Sequence, residues 1–197
     1  MKRLNSIQLI RGLAALVIVL YHATILFQSY LGYTYAFGIF KIGFIGVAIF
    51  FVLSGFILYY IHRKDFGKKE KGNTFLLKRF LRVYPIYWIV LAFLVPIYLI
   101  IPSFGSEEIR NVGNLISSFL LFPLKSTTMA LLPVSWTLSY EIVVYLAFWL
   151  LIVASARIAY PIVITWLTIS ILSFGSAYMG FSVNSFWFQF IFSPYNL

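Results

Sequence analysis

The sequence predicts an all-α fold, a polytopic bundle of transmembrane helices, on three observations. Of 197 residues, 62% are hydrophobic and 10% are charged, where soluble domains carry about 45–50% and about 25%. Uncharged stretches near the length of a membrane-crossing helix, about 20 residues, recur along the chain. The remaining charge is lopsided, with 15 Lys and Arg against 5 Asp and Glu, a net +10. A water-soluble globule of this size has no room to hide so much apolar surface. Disorder fails too, because it requires low hydrophobicity. The chain has no cysteine, which excludes a disulfide framework, a thiolate metal site and a Cys nucleophile.

The basic residues set the expected orientation. Lys2, Arg3 and Arg11 give the N-terminus +3. From His62 to Arg82 lie eight basic residues against Asp65 and Glu70, a net +6. A basic cluster can bind nucleic acid, but in so hydrophobic a chain it marks short loops kept in the cytoplasm. The N-terminus and the basic loop are therefore expected on the cytoplasmic side, with a lipid bilayer and no nucleic acid as partner.

The spans follow in order. Residues 12–31 hold no charged side chain apart from His22, and residues 42–61 hold none. Lys2 and Arg3 before an apolar run suggest a signal peptide, but Arg11 and His22 interrupt it and no small-residue cleavage site follows. A retained signal-anchor helix is expected. Residues 83–101 form the third span, with Pro85 in its first turn, where a missing N–H matters little, and a kink at Pro96. Between Pro102 and Ser135 the charges of Glu107, Glu108, Arg110 and Lys125 cancel. Residues 111–124 are too short for an ordinary span and read as a re-entrant or interfacial segment. Residues 136–156, interrupted by Glu141, are the fourth span. Residues 158–178 are the fifth, with a break near Gly175 to Asn184, and 185–197 are a last short segment. The aromatic run 186–192 near the end makes a truncated bundle the expectation.

Ionisable groups inside a span are costly and usually face protein or a water-filled cavity, so chemistry is sought there. Arg11 and His22 are eleven residues apart, which places them on one helix face, about 16 Å apart along the axis. Arg11 alone fits a snorkelling interfacial residue and His22 an interhelical hydrogen bond. Sharing one stripe favours function, with neutral imidazole the usual general base. Glu141 has 15 uncharged residues on each side. It is either a structural carboxylate or a partner that orients a cation or imidazole. Gly43, Gly46, Ser54 and Gly55 lie in the second span; Gly46, Gly55 and Ala48 suit close helix packing, and Ser54 packs or lines a cavity. Arg79 and Arg82 share a helix face. Their guanidiniums suit phosphate oxygens or lipid headgroups.

Four motifs in order carry a resemblance. They are Arg11-Gly12-Leu13-Ala14-Ala15 through Tyr21-His22, then Gly46-Val47-Ala48-Ile49-Phe50-Phe51-Val52-Leu53-Ser54-Gly55-Phe56. Arg79-Phe80-Leu81-Arg82 with Tyr84-Pro85 follows, and Ser135-Trp136-Thr137-Leu138-Ser139-Tyr140-Glu141 comes last. The set resembles the integral-membrane acyltransferase family (acyltransferase 3) that O-acetylates O-antigen, exopolysaccharide, peptidoglycan and nodulation factors. Thr137 stands where that family usually has Ser, and it keeps the hydroxyl. Family members usually have about ten spans, so the resemblance makes 1–197 the N-terminal part of such a domain. It implies an acyl-CoA donor on the cytoplasmic side, a glycan or other hydroxyl acceptor, no metal and no cofactor, in the cell inner membrane. It further implies catalytic His22, Arg11 and Glu141, and donor-binding Arg79 and Arg82. Ser54, Trp136 and Ser139 are candidate cavity-lining residues. A fragment of a transporter or flippase would also carry intramembrane His, Arg and Glu, and a non-catalytic membrane scaffold is the third alternative.

Overall fold

The structure, a computed structural model, describes residues 5–32, 40, 42–101, 110–123, 130–178 and 185–193. Among them the regular elements are all helical: α1 (Asn5–Leu31), α2 (Ile45–His62), α3 (Gly72–Ile100), α4 (Val112–Phe119), α5 (Trp136–Val153), α6 (Ala156–Tyr178) and α7 (Phe186–Ile191). Five of them, α1, α2, α3, α5 and α6, are long and apolar enough to cross a membrane. Their outer faces carry large apolar side chains. Phe93 is 73% exposed, Ile100 76% and Leu172 65%. Such an inside-out surface is stable against acyl chains, not water. Glu107, Glu108 and Lys125, and most of the expected break after Gly175, lie outside the described residues.

The chain divides into two compact units, Met1–Ile61 and His62–Leu197. In the first, α1 and α2 meet at small residues. A Cβ on Gly46 would sit 2.9 Å from the Ala14 carbonyl oxygen and 3.0 Å from Cγ1 of Ile18. One on Gly43 would sit 2.7 Å from Tyr21 Cβ. These two glycines let the backbones approach. Gly55 does not share that role, since nothing lies within 4 Å of its would-be Cβ.

In the second unit, α3 starts at Gly72, well before the expected start at 83. Arg79 and Arg82 therefore lie on the helix, and Pro85 sits in its interior rather than in its first turn. The apolar sequence begins at Val83, but helix formation needs no apolar residue, and Asn73 to Arg82 contains no breaker. At 29 residues, α3 is about 44 Å long against a hydrocarbon core of about 30 Å. Standing upright across such a core, it would project past it by roughly nine residues.

The N-terminus of α3 packs on the C-terminal end of α5. Gly72 abuts Val153 and Trp149, and Gly67, with a φ of +76°, donates its N–H to the Leu151 carbonyl at 3.0 Å. Further along, Tyr87, Leu91, Leu121 and Leu131 form a buried core, against which Val83, Leu138 and Ile142 pack.

The short helix α4 lies against that core. Its last carbonyls have no partner within the helix and cannot be left bare in an apolar surrounding. Side chains of α3 and α5 supply the donors. Tyr87 O–H reaches the Ser118 carbonyl at 2.7 Å, Trp88 Nε1–H that of Phe119 at 3.0 Å and Tyr84 O–H that of Leu120 at 3.1 Å. Ser139 donates to the Leu121 carbonyl at 2.9 Å, where the chain turns with a φ of +56° at Leu121. The helix is eight residues long, shorter than the segment 111–124 expected to be re-entrant or interfacial. Arg110 caps α3 in the same manner, donating to the carbonyls of Tyr98 at 2.9 Å and Ile101 at 3.3 Å. A cation there also complements the helix dipole.

Candidate active site

Arg11 and His22 both project from α1 in the first unit. With 27 residues, α1 is about 40 Å long, so Arg11, six residues in, lies about 9 Å from its start and His22 about 16 Å deeper. The Arg11 guanidinium lies over the Phe50 ring of α2, 4.9 Å from its centroid, and reaches Gln8 Oε1 at 3.4 Å. The cation–π contact lets a charge sit beside apolar residues. His22 meets the Tyr21 ring edge-on, centroids 5.3 Å apart. Ser54 Oγ is buried and has no hydrogen-bond partner among the described residues. It is thus a polar atom on α2 that packing alone does not explain.

In the second unit a chain of polar side chains runs from the basic loop into the helices. Lys71 pairs with Asp65. His62 Nδ1 faces the other oxygen of Asp65 at 3.2 Å, and its Nε2 faces Arg79 Nη2 at 3.1 Å. A guanidinium only donates. The Nε2 atom must therefore accept, which leaves the imidazole proton on Nδ1 and donated to Asp65. The Lys71 ammonium, helped by the His62 ring, holds the Asp65 carboxyl below the usual carboxylate range.

Beyond His62, the Arg79 guanidinium lies between two aromatic faces, 5.3 Å from the centroid of Phe75 and 5.5 Å from that of Tyr145. Tyr145 is 5% exposed and donates its hydroxyl to Glu141 one turn away on α5. The structure thus links two residues singled out in the sequence, Arg79 and Glu141, through a tyrosine. Arg82, one turn from Arg79, is exposed, so the two arginines are not equivalent. Trp136 packs edge-on to Tyr140, centroids 6.0 Å apart. Ser139 is occupied in holding the Leu121 carbonyl.

Four members of this chain, Lys71, Asp65, His62 and Tyr145, are absent from the sequence-based set. The signals were present: His62 and Asp65 are three apart, and Tyr145 follows Glu141 by four, both spacings that meet on a helical turn. What could not be read was the pairing of His62 with Arg79 across 17 residues.

Chemically, the arrangement is an anion-receptive one. The Nε–H of Arg79 is buried with no acceptor among the described residues, and a partly buried guanidinium with an open donor suits a phosphate or carboxylate oxygen. Among the described residues no group of three or more His, Cys, Asp or Glu side chains can hold a metal ion.

The comparisons with known proteins agree in direction. A family model described as an acyltransferase domain matches residues 4–197. The chain is similar to the peptidoglycan O-acetyltransferase OatA of Listeria monocytogenes, 33% identical over 121 residues, which is 60% of this chain and 17% of that protein. The chain therefore spans far less than the length of this relative. No solved structure matches it.

Proposed function

The chain belongs to the acyltransferase domain family, and on that premise we propose that it forms part of a membrane O-acyltransferase. The reaction would move an acetyl or similar acyl group from acyl-CoA to a hydroxyl of a cell-surface glycan. The family match along residues 4–197 carries the reading. The glycan acceptor is suggested by the name of the relative, a peptidoglycan O-acetyltransferase.

In this reading the protein lies in the cell inner membrane with its N-terminus in the cytoplasm. Arg79, with Arg82 nearby, receives the phosphates of acyl-CoA. The placement of Arg79 near the end of an overlong helix, with an open N–H, supports that role. His22 takes the proton from the acceptor hydroxyl. The hydroxyl oxygen then attacks the thioester carbonyl, the C–S bond breaks, and CoA leaves as a thiolate that takes the proton held by His22, returning the imidazole to its neutral form. Arg11, on the same stripe of α1, steadies the negative charge that develops on the carbonyl oxygen. Glu141 acts through Tyr145, whose ring lies beside Arg79. Ser54, with its open hydroxyl in the first unit, and Trp136 in the second are each candidates to line a cavity.

The test is His22→Ala in the full-length protein, with the O-acetyl content of the glycan measured at matched membrane levels. Loss of a positioned general base lowers the rate by about 10²–10⁴-fold. Undiminished O-acetylation would remove His22 from the reaction.

A further inference from the structure

Arg79 is held in a way that its own helix does not provide. An arginine stem is flexible, and its guanidinium is fixed by what its donors meet. One Nη2–H is spent on His62 Nε2 at 3.1 Å. That acceptor exists in one neutral tautomer, and Asp65 selects it by accepting from Nδ1 at 3.2 Å. Lys71 anchors Asp65 from the loop. Phe75 closes the edge of the imidazole, centroids 5.0 Å apart at an angle of 86°, and offers its face to the guanidinium. The buried Nε–H of Arg79 remains open among the described residues. A buried charged donor without an acceptor is costly, and the imidazole prevents it from swinging out to water.

We propose that His62, oriented by Asp65, is a positioning residue that holds Arg79 so that its open N–H meets an anionic oxygen of the acyl donor. The proposal rests on the donor-binding role given to Arg79 above. It adds two residues to the reaction that act through a third, and it predicts that their loss is felt in donor affinity rather than in chemistry.

The experiment measures acetyl transfer by the full-length protein in native membranes as a function of acetyl-CoA concentration. His62→Ala is expected to raise the KM for acetyl-CoA about tenfold, with kcat within about twofold of wild type. Asp65→Asn shifts KM in the same direction by less. His62→Gln keeps a carbonyl that accepts from Arg79 and is expected to stay within about threefold of the wild-type KM. If Arg79→Ala raises KM but His62→Ala does not, the positioning role is overturned and the donor-binding role of Arg79 stands. If Arg79→Ala leaves KM unchanged, both are overturned. Should His62→Ala fail to accumulate, His62→Gln carries the test, and a KM as high as that of Arg79→Ala overturns the proposal.

Discussion

Replacing Ser139 by alanine separates two roles for that residue, a cavity wall and a cap for the turn after α4. Ser139 is 7% exposed and Leu121, whose carbonyl it serves, is 4% exposed. The hydroxyl donates at 2.9 Å. Removing the donor leaves a buried carbonyl with its full desolvation penalty, about 1–3 kcal/mol. The lost volume is a single oxygen atom, so a cavity adds little. At about 2–4 °C per kcal/mol for a chain of this size, the thermal midpoint in detergent falls by roughly 2–12 °C. Ser139→Thr keeps the donor and should hold the midpoint nearer the wild type. An alanine variant with an unshifted midpoint refutes the capping argument. If that variant also lost acyl transfer, Ser139 would belong to the cavity instead.

Two other predictions concern stability. Gly46→Leu drives a side chain into the Ala14 carbonyl and Ile18 and should cost about 1–3 kcal/mol, whereas Gly55→Ala, in open space, should gain up to about 1 kcal/mol from helix propensity; equal midpoints for the two variants would contradict the packing of α1 on α2. For Asp65 the folded pKa lies below the ordinary 3.8, so its ionised form stabilises the fold above that pH, and the contribution is lost as pH falls through the folded value. The gap in thermal midpoint between wild type and Asp65→Asn should be open at neutral pH and close in the acid range below 3.8. A gap that is unchanged across that range removes Lys71–Asp65 as its source.

The helical class and its long apolar members are legible from residue type alone, because hydrocarbon admits few backbone solutions. The stretches 12–31, 42–61, 136–156 and 158–178 overlap α1, α2, α5 and α6 for that reason. Helix starts are less legible. The polar first turns of α3 carry no apolar signal, so the sequence alone starts the span at 83 and leaves Arg79 ahead of it, with Pro85 in the first turn rather than the helix interior. The site divides the same way. Arg11, His22 and Glu141 stand out as ionisable groups inside apolar stretches, and Arg79 by its spacing from Arg82. His62 and Asp65 hide in a loop crowded with basic residues, and Tyr145 is one of 14 tyrosines. Only the tertiary contacts of Arg79, with His62 on one side and Tyr145 on the other, make those three distinctive.

The capped end of α4 has a consequence for how the protein is made. The carbonyls of Ser118 and Phe119, and that of Leu120 just past the helix, accept from side chains of α3, so α4 cannot settle as an independent element. It must arrive where α3 already stands, and synthesis from the N-terminus delivers α3 first. The Leu121 carbonyl depends on Ser139, which is translated later. The turn after α4 therefore stays incomplete until α5 docks, and the arrival of α5 is the step that fixes this short helix in place.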